Sequence, residues 1–272
     1  MKKLLLLAVM MVAVASVVSA QGTAGTAAPA AAPAEAVKAE TPSAFSLAAT
    51  MDVYSAYVWR GTVPVDRPVY QPGGTVSYKT DGYGTLSGNV WANFDMTDHN
   101  NHTKFGGINE VDYTASYAID VGPVSLSAGH IWYTFPSVTD SAYGESTREV
   151  YVTAQYNNDI VNPFVKVYYD YAVMDGAYAN FGLNKIVKVS DQVSVGSEVS
   201  LGAGSDGYMN YVGTDSAGLM DFNAALFASY AITDHISVGP RLAWMSVVDG
   251  DARDNVDHQD LLWGGVNLSA SF

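Results

Sequence analysis

Cysteine is absent from the 272 residues, and only 15% of the side chains are charged. That excludes a disulfide framework, thiolate chemistry and the lipid-modified cysteine of a bacterial lipoprotein. Positive charge is scarce too: 13 Lys and Arg stand against 27 Asp and Glu, a formal net charge of −14. Nucleic acid is excluded as a partner, because phosphate binding needs a basic face. Past residue 44 no segment carries a convincing helical stripe. What is plentiful is tyrosine and glycine, 18 and 25 residues, in a chain that is 49% hydrophobic. The length suits one large all-β domain or two ordinary ones.

The N-terminus reads as an export address. Lys2 and Lys3 precede an apolar run from Leu4 to Val18, and Ser19-Ala20 offers a small-residue cleavage site before Gln21. A membrane anchor needs about 20 apolar residues, so residues 1–20 are expected to be a cleaved signal peptide. Residues 21–43 are almost entirely Ala, Pro, Thr, Gly and Glu. Such a composition buries too little apolar surface to offset its ordering entropy, and a flexible linker is expected.

From Ala44 the pattern turns to period two. In INEVDYTASYAID, Val111, Tyr113, Ala115, Tyr117 and Ile119 share one face, while Glu110, Asp112, Thr114 and Ser116 share the other. EVYVTAQY and MDFNAALFASY repeat the alternation. It predicts twelve strands near 46–61, 69–79, 84–96, 108–119, 123–135, 148–157, 163–173, 180–188, 192–203, 219–231, 236–248 and 259–272. A phase change at His130-Ile131 predicts a bulge in the fifth, and the faces of Lys185 and Lys188 in the eighth are ambiguous. Short turn sequences such as TDGYG, DVGP, VSDQ and ITDH alternate with mostly longer polar connections. That asymmetry belongs to a closed antiparallel up-and-down transmembrane β-barrel spanning 44–272, with short turns in the periplasm and long loops outside.

In such a barrel the last strand pairs with the first, so the chain can end inside the wall. Phe272, with Ala270, Leu268, Val266 and Gly264 at alternating positions before it, resembles the C-terminal signature that outer-membrane proteins present to the barrel-assembly machinery. VYSAYVWRG at 53–61, GTLSGNVWANFD at 84–95 and NEVDYTASYAID at 109–120 resemble the N-terminal strands of the TorF-type porin family of Gram-negative bacteria. Ser55, Tyr57, Arg60 and Gly61 fill its Ser-x-Tyr-x-x-Arg-Gly motif, whereas the following TVPVDRPVYQPGG departs from the polar Ser/Gln-rich loop of that family. The resemblance implies a channel embedded in outer-membrane lipid.

A secreted β-sandwich would also alternate, but its inward face would be the apolar one, and the Glu, Asp, Asn, Ser and Gly of the opposite faces would make a poor core. GAGSDG at 202–207 matches a dinucleotide-binding fingerprint in letters only and is expected to be a loop without a following helix. The acidic run DGDARDNVDHQD, 249–260, lacks the sixth-position glycine of a calcium loop and is expected to be solvated. A barrel hydrolase needs a serine oriented by a histidine, and none of His99, His102, His130, His235 and His258 stands in such a spacing. The expectation is therefore a passive channel for small hydrophilic solutes or ions, with no enzymatic activity and no cofactor, ahead of a non-conducting structural or adhesive barrel and a lipid hydrolase. The polar faces direct Asp52, Asp95, Glu110, Asp112, Glu149, Asp170, Glu198 and Asp221 into the lumen, against Arg60, Lys79, Lys166 and Arg241. Acids outnumber bases two to one there, so cations should be preferred; the alternative is that Arg60 pairs with acids such as Asp52 or Asp112 and the network holds the barrel interior together. Trp91, Tyr151, Tyr168 and Phe227 supply lumenal bulk.

Overall fold

The computed structural model describes residues 44–97, 107–136, 146–214 and 216–272. The signal and linker segments, His99, His102 and the tips of two long connections lie outside the described residues. Fourteen strands run in the order β1 (Phe45–Tyr54), β2 (Tyr57–Trp59), β3 (Thr62–Val65), β4 (Val69–Thr80), β5 (Gly84–Asp95), β6 (Ile108–Val121), β7 (Val124–Thr134), β8 (Thr147–Tyr156), β9 (Asn162–Asp170), β10 (Gly176–Lys188), β11 (Val193–Gly204), β12 (Gly218–Ala231), β13 (Ile236–Val247) and β14 (Asp260–Ser271). Two short helices, α1 (Asp206–Tyr211) and α2 (Gly250–Asn255), interrupt them.

All strands except β2 and β3 form one closed antiparallel barrel of twelve, in which β1 pairs with both β4 and β14. Ala48 lies opposite Thr75 on one side and Ser271 on the other. Closure removes the edge strands, and the chain ends in the wall: Leu47 and Phe272 exchange backbone hydrogen bonds of 2.8 Å. The short connections between β4 and β5, β6 and β7, β8 and β9, β10 and β11, and β12 and β13 share the end of the barrel that holds Phe45 and Phe272. Most connections at the opposite end are longer, and α1 and α2 sit in two of them.

Alternation sets the two surfaces. Leu47, Val76, Val90, Val152, Leu226 and Leu262 are exposed on the outside, while Asn89, Glu110, Asp112, Glu149, Asn180 and Glu198 are buried inside. An apolar outer band around a polar interior is the inverse of a soluble barrel and suits a bilayer.

The first predicted strand, 46–61, is two structures rather than one. β1 stops at Tyr54, and residues 57–65 turn back as the β2–β3 hairpin. Arg60 (φ 46°) and Gly61 (φ 83°) form its two-residue turn with both residues in the left-handed region, the pattern of a type I′ hairpin. Gly61 is required twice over, because a Cβ there would also come within 2.8 Å of the Met220 methyl.

Three smaller expectations change as well. No register shift occurs at His130: β6 and β7 pair without interruption from Val111–Thr134 to Val121–Val124. His130 faces outward and meets the Tyr171 hydroxyl at 2.8 Å, while Ile131 faces a lumen that is locally apolar, which explains the apparent phase change. Irregularities fall instead at Asn93/Phe94 and Gly202/Ala203. After Gly204 a helix does follow, α1, and the acidic run, though exposed at Asp251, Asp254, Asp257 and Asp260 as expected, folds in part into α2, capped by Asp249 accepting from the Asp251 and Ala252 backbone amides. Lys185 sits opposite the inward phase of Asn184 and donates to the Asn158 carbonyl at 2.8 Å, while Lys188 pairs with Asp191 at 3.1 Å.

Candidate functional site: the hairpin inside the barrel

The β2–β3 hairpin lies within the lumen, as its contacts with the wall require. Tyr57 packs on Trp91 of β5, Trp59 on Tyr133 of β7, and Gly61 against Met220 of β12. These strands stand on different sides of the closed sheet, so a segment touching all of them runs through the middle. Its apolar side chains create a core where a pore would be. Val58, Val65 and Val69 are buried with Tyr208, Met209, Met220 and Met245, so the end of the barrel opposite the termini is packed rather than water-filled. α1 closes over the hairpin: the Tyr208 hydroxyl donates to the Arg60 carbonyl at 3.2 Å. Gly176 of β10 admits the helix, since a Cβ there would stand 2.2 Å from the Tyr208 nitrogen.

Arg60 at the hairpin tip binds Glu149 of β8 through both terminal nitrogens, at 2.6 and 2.8 Å. Asp52 and Asp112, the acids the sequence suggests as its partners, are not the ones used: the hairpin carries Arg60 away from the β1 wall, across to β8. Fork-to-fork geometry is the strong form of this interaction. The Tyr133 hydroxyl gives the same carboxylate a further hydrogen bond of 2.8 Å. The guanidinium carbon lies 4.6, 4.2 and 4.8 Å from the ring centroids of Trp59, Tyr168 and Tyr178. A planar, weakly hydrated cation is held by such faces better than an ammonium would be.

The remaining residues of the expected lumenal set separate by what they bind. Asp170 accepts at 2.9 Å from the backbone amides of Ala172 and Val173 and at 2.5 Å from the Thr147 hydroxyl, so it fastens the β9–β10 turn. Asp95 does the same for the connection after β5 through Thr97 at 2.8 Å. Asp221 takes the Tyr178 hydroxyl at 2.9 Å and the Asn223 amide at 2.5 Å. Asp52 takes the Asn267 amide. Lys166 lies 4.8 Å from the Phe164 ring, and Arg241 between the Phe227 and Trp263 rings at 5.7 and 5.6 Å. Glu110 is reached by the Tyr57 hydroxyl and touches Asp112. Beside Arg60, a cavity of about 30 Å³ is lined by Val58, Asn180, Glu198, Asp221 and Arg241, room for about one water molecule. Phe272 is exposed and stacks on His235 at 5.4 Å. Among the described residues no group of three or more His, Cys, Asp or Glu gathers in a metal-binding arrangement.

Alternation reached the lumenal face of these residues but missed the hairpin. Its one available signal was the Arg60-Gly61 dipeptide between two apolar triplets, a turn whose first residue is not one of the usual left-handed residues.

No family model and no curated protein matches the chain. Solved structures do match in fold. An outer-membrane channel from Pseudomonas putida F1 aligns with a TM-score of 0.53 at 13% identity, covering 86% of this chain and 97% of that one. The NanC porin aligns with a TM-score of 0.49 and the KdgM porin with 0.47, each at 13% identity, over 83% and 84% of this chain and 98% and 99% of theirs. At that identity the first of these alignments shows a likeness of fold alone, to the closed twelve-stranded antiparallel barrel described above.

Proposed function

We propose that the protein is an outer-membrane barrel passing small hydrophilic solutes or ions, porin-like, with the β2–β3 hairpin as the element that limits passage. The observation carrying this reading is the inversion of surfaces, an apolar belt outside and a polar lumen inside. The packed hairpin, with Arg60 paired to Glu149 across the lumen, is the part that has to yield or be skirted. Lumenal acids exceed bases, which favours cations over anions in a passage where charges are poorly screened. The TorF-type resemblance, the export signal at 1–20, the linker at 21–43 and recognition of Phe272 by the assembly machinery belong to the same reading. The solved neighbours, being outer-membrane channels and porins in their own right, support it.

Liposome swelling tests it. Purified full-length protein in lipid vesicles should admit small neutral sugars slowly, and a variant whose residues 56–66 are replaced by a short Gly-Ser linker should admit them several-fold faster. Vesicles that stay impermeable with both proteins would favour the non-conducting barrel.

A further inference from the structure

Several acids of the lumen have a counter-charge or more than one donor. Glu149 has the Arg60 guanidinium, and Asp221, Asp170 and Asp95 have two or more donors each. Glu110 and Asp112 have one another and the Tyr57 hydroxyl. Both are buried, and charge that is buried without a counter-charge is among the costliest arrangements in a protein.

Three unpartnered oxygens stand beside them. Asp112 Oδ1, Thr114 Oγ1 and Asn89 Oδ1 have no hydrogen-bond partner among the described residues, and the three side chains are only 7–8% exposed. The register brings them together. Thr114 lies directly opposite Asn89, and Asp112 is two residues along the same face of β6, opposite Trp91. The orientation of Asn89 is fixed independently: its amide nitrogen donates to the Gly74 carbonyl and the Thr75 hydroxyl of β4, at 3.0 and 2.9 Å. Its oxygen therefore points away from β4, on the β6 side. Asn89, Thr114 and Asp112 are opposed or adjacent on one face and lie within reach of one ion, and Glu110, the next residue of that face, adds its charge from beside Asp112.

We propose that Glu110, Asp112, Asn89 and Thr114 form a binding site for a hard divalent cation of the Ca²⁺ type, built into the lumenal wall between β5 and β6. Carboxylate, amide and hydroxyl oxygens are the donors such ions take, at 2.3–2.6 Å and in adaptable geometry. Two carboxylates supply a matching charge. A proton shared between Glu110 and Asp112 would satisfy those two groups but leave Asn89 Oδ1 with nothing; a cation satisfies every oxygen of the set. The site goes beyond the channel reading and does not rest on conduction, since binding is measured in detergent and would stand in a barrel that passes nothing.

The test uses refolded full-length protein with Tb³⁺ as the probe and Ca²⁺ as competitor. Trp91, the cross-strand neighbour of Asp112, should sensitise Tb³⁺ emission that saturates and is displaced by Ca²⁺. Glu110→Gln with Asp112→Asn should abolish the signal. Thr114→Val provides the control for folding: it replaces an unpartnered hydroxyl with a methyl, so it should unfold no earlier than wild type in chelator, yet bind Ca²⁺ about tenfold more weakly. Trp91→Phe should weaken the emission, leaving Tyr57 as the nearest sensitiser, while Ca²⁺ still raises the unfolding temperature. Absence of saturable, Ca²⁺-displaceable emission overturns the proposal, as does unchanged affinity in Thr114→Val or persistence of the signal in the double mutant, which would place the ion elsewhere, for instance on the acidic segment 249–260.

Discussion

Arg60 and Glu149 join a hairpin tip to a strand 89 residues away, out of water on both sides. Removing one partner strands the other charge in a site built for a pair, which costs about 3–5 kcal/mol in comparable buried pairs. Arg60→Ala should therefore lower the unfolding free energy of the vesicle-refolded barrel, read from urea titration, by that order. Arg60→Met combined with Glu149→Leu should recover most of the loss, because a desolvated ion pair and a packed apolar pair are often close in free energy. Loss in the double variant equal to that in the single one would mean that the aromatic faces on Arg60, not its charge, hold the tip. At the same scale, Phe272 contributes two backbone hydrogen bonds and a stack on His235, all at an exposed corner. Deleting it should leave refolding in vitro nearly intact and lower surface levels in cells, as immunoblots of outer-membrane fractions would show. The inward orientation of these charges was legible, since alternation assigns a face to every strand residue. Their partners were not. Periodicity says nothing about which of eight acids a long guanidinium meets across a barrel, and the alternative naming Asp52 or Asp112 rests on a shared lumenal face alone.

At the scale of elements, the strands follow from their residues. β8 buries Glu149 and leaves Val150 and Val152 exposed, and its register with β7 is uninterrupted. Arginine at Val152 or Leu226 should cost about 2–4 kcal/mol near the bilayer midplane, whereas arginine at the inward Thr153 should fold into vesicles with wild-type yield. Equal yields at both kinds of position would displace the bilayer from this face. The hairpin escaped a period-two reading for a physical reason: Tyr57, Trp59, Val63 and Val65 continue the alternation of β1, and a strand that turns inward has the same two-residue period as one that runs on. Only the left-handed pair at Arg60 and Gly61 separates the cases. Six-residue helices are similarly silent, since α1 and α2 are too short to display a stripe. Ile131 is instructive in another way. It breaks the sequence pattern because an inward apolar residue is out of place in a polar lumen, but the hairpin makes that part of the lumen apolar.

For the whole molecule, composition and architecture point the same way. A net charge of −14 is distributed over an exterior band with few charges and an interior with many, so the electrostatic character of the protein is concentrated in its lumen and loops. Across a salt gradient the reversal potential should have the sign of cation preference. Glu110→Gln with Asp112→Asn should shift it toward zero, because both face the lumen from β6 and neither forms an ion pair among the described residues. The central claim is that a polar passage exists and that the β2–β3 hairpin limits it, and single-channel recording in a planar bilayer addresses it most directly. Wild-type protein should show small, discrete conductance steps, and replacement of residues 56–66 by a short Gly-Ser linker should enlarge them several-fold without changing the strand signature in circular dichroism. A correctly folded barrel that gives no steps with or without the hairpin would contradict the account.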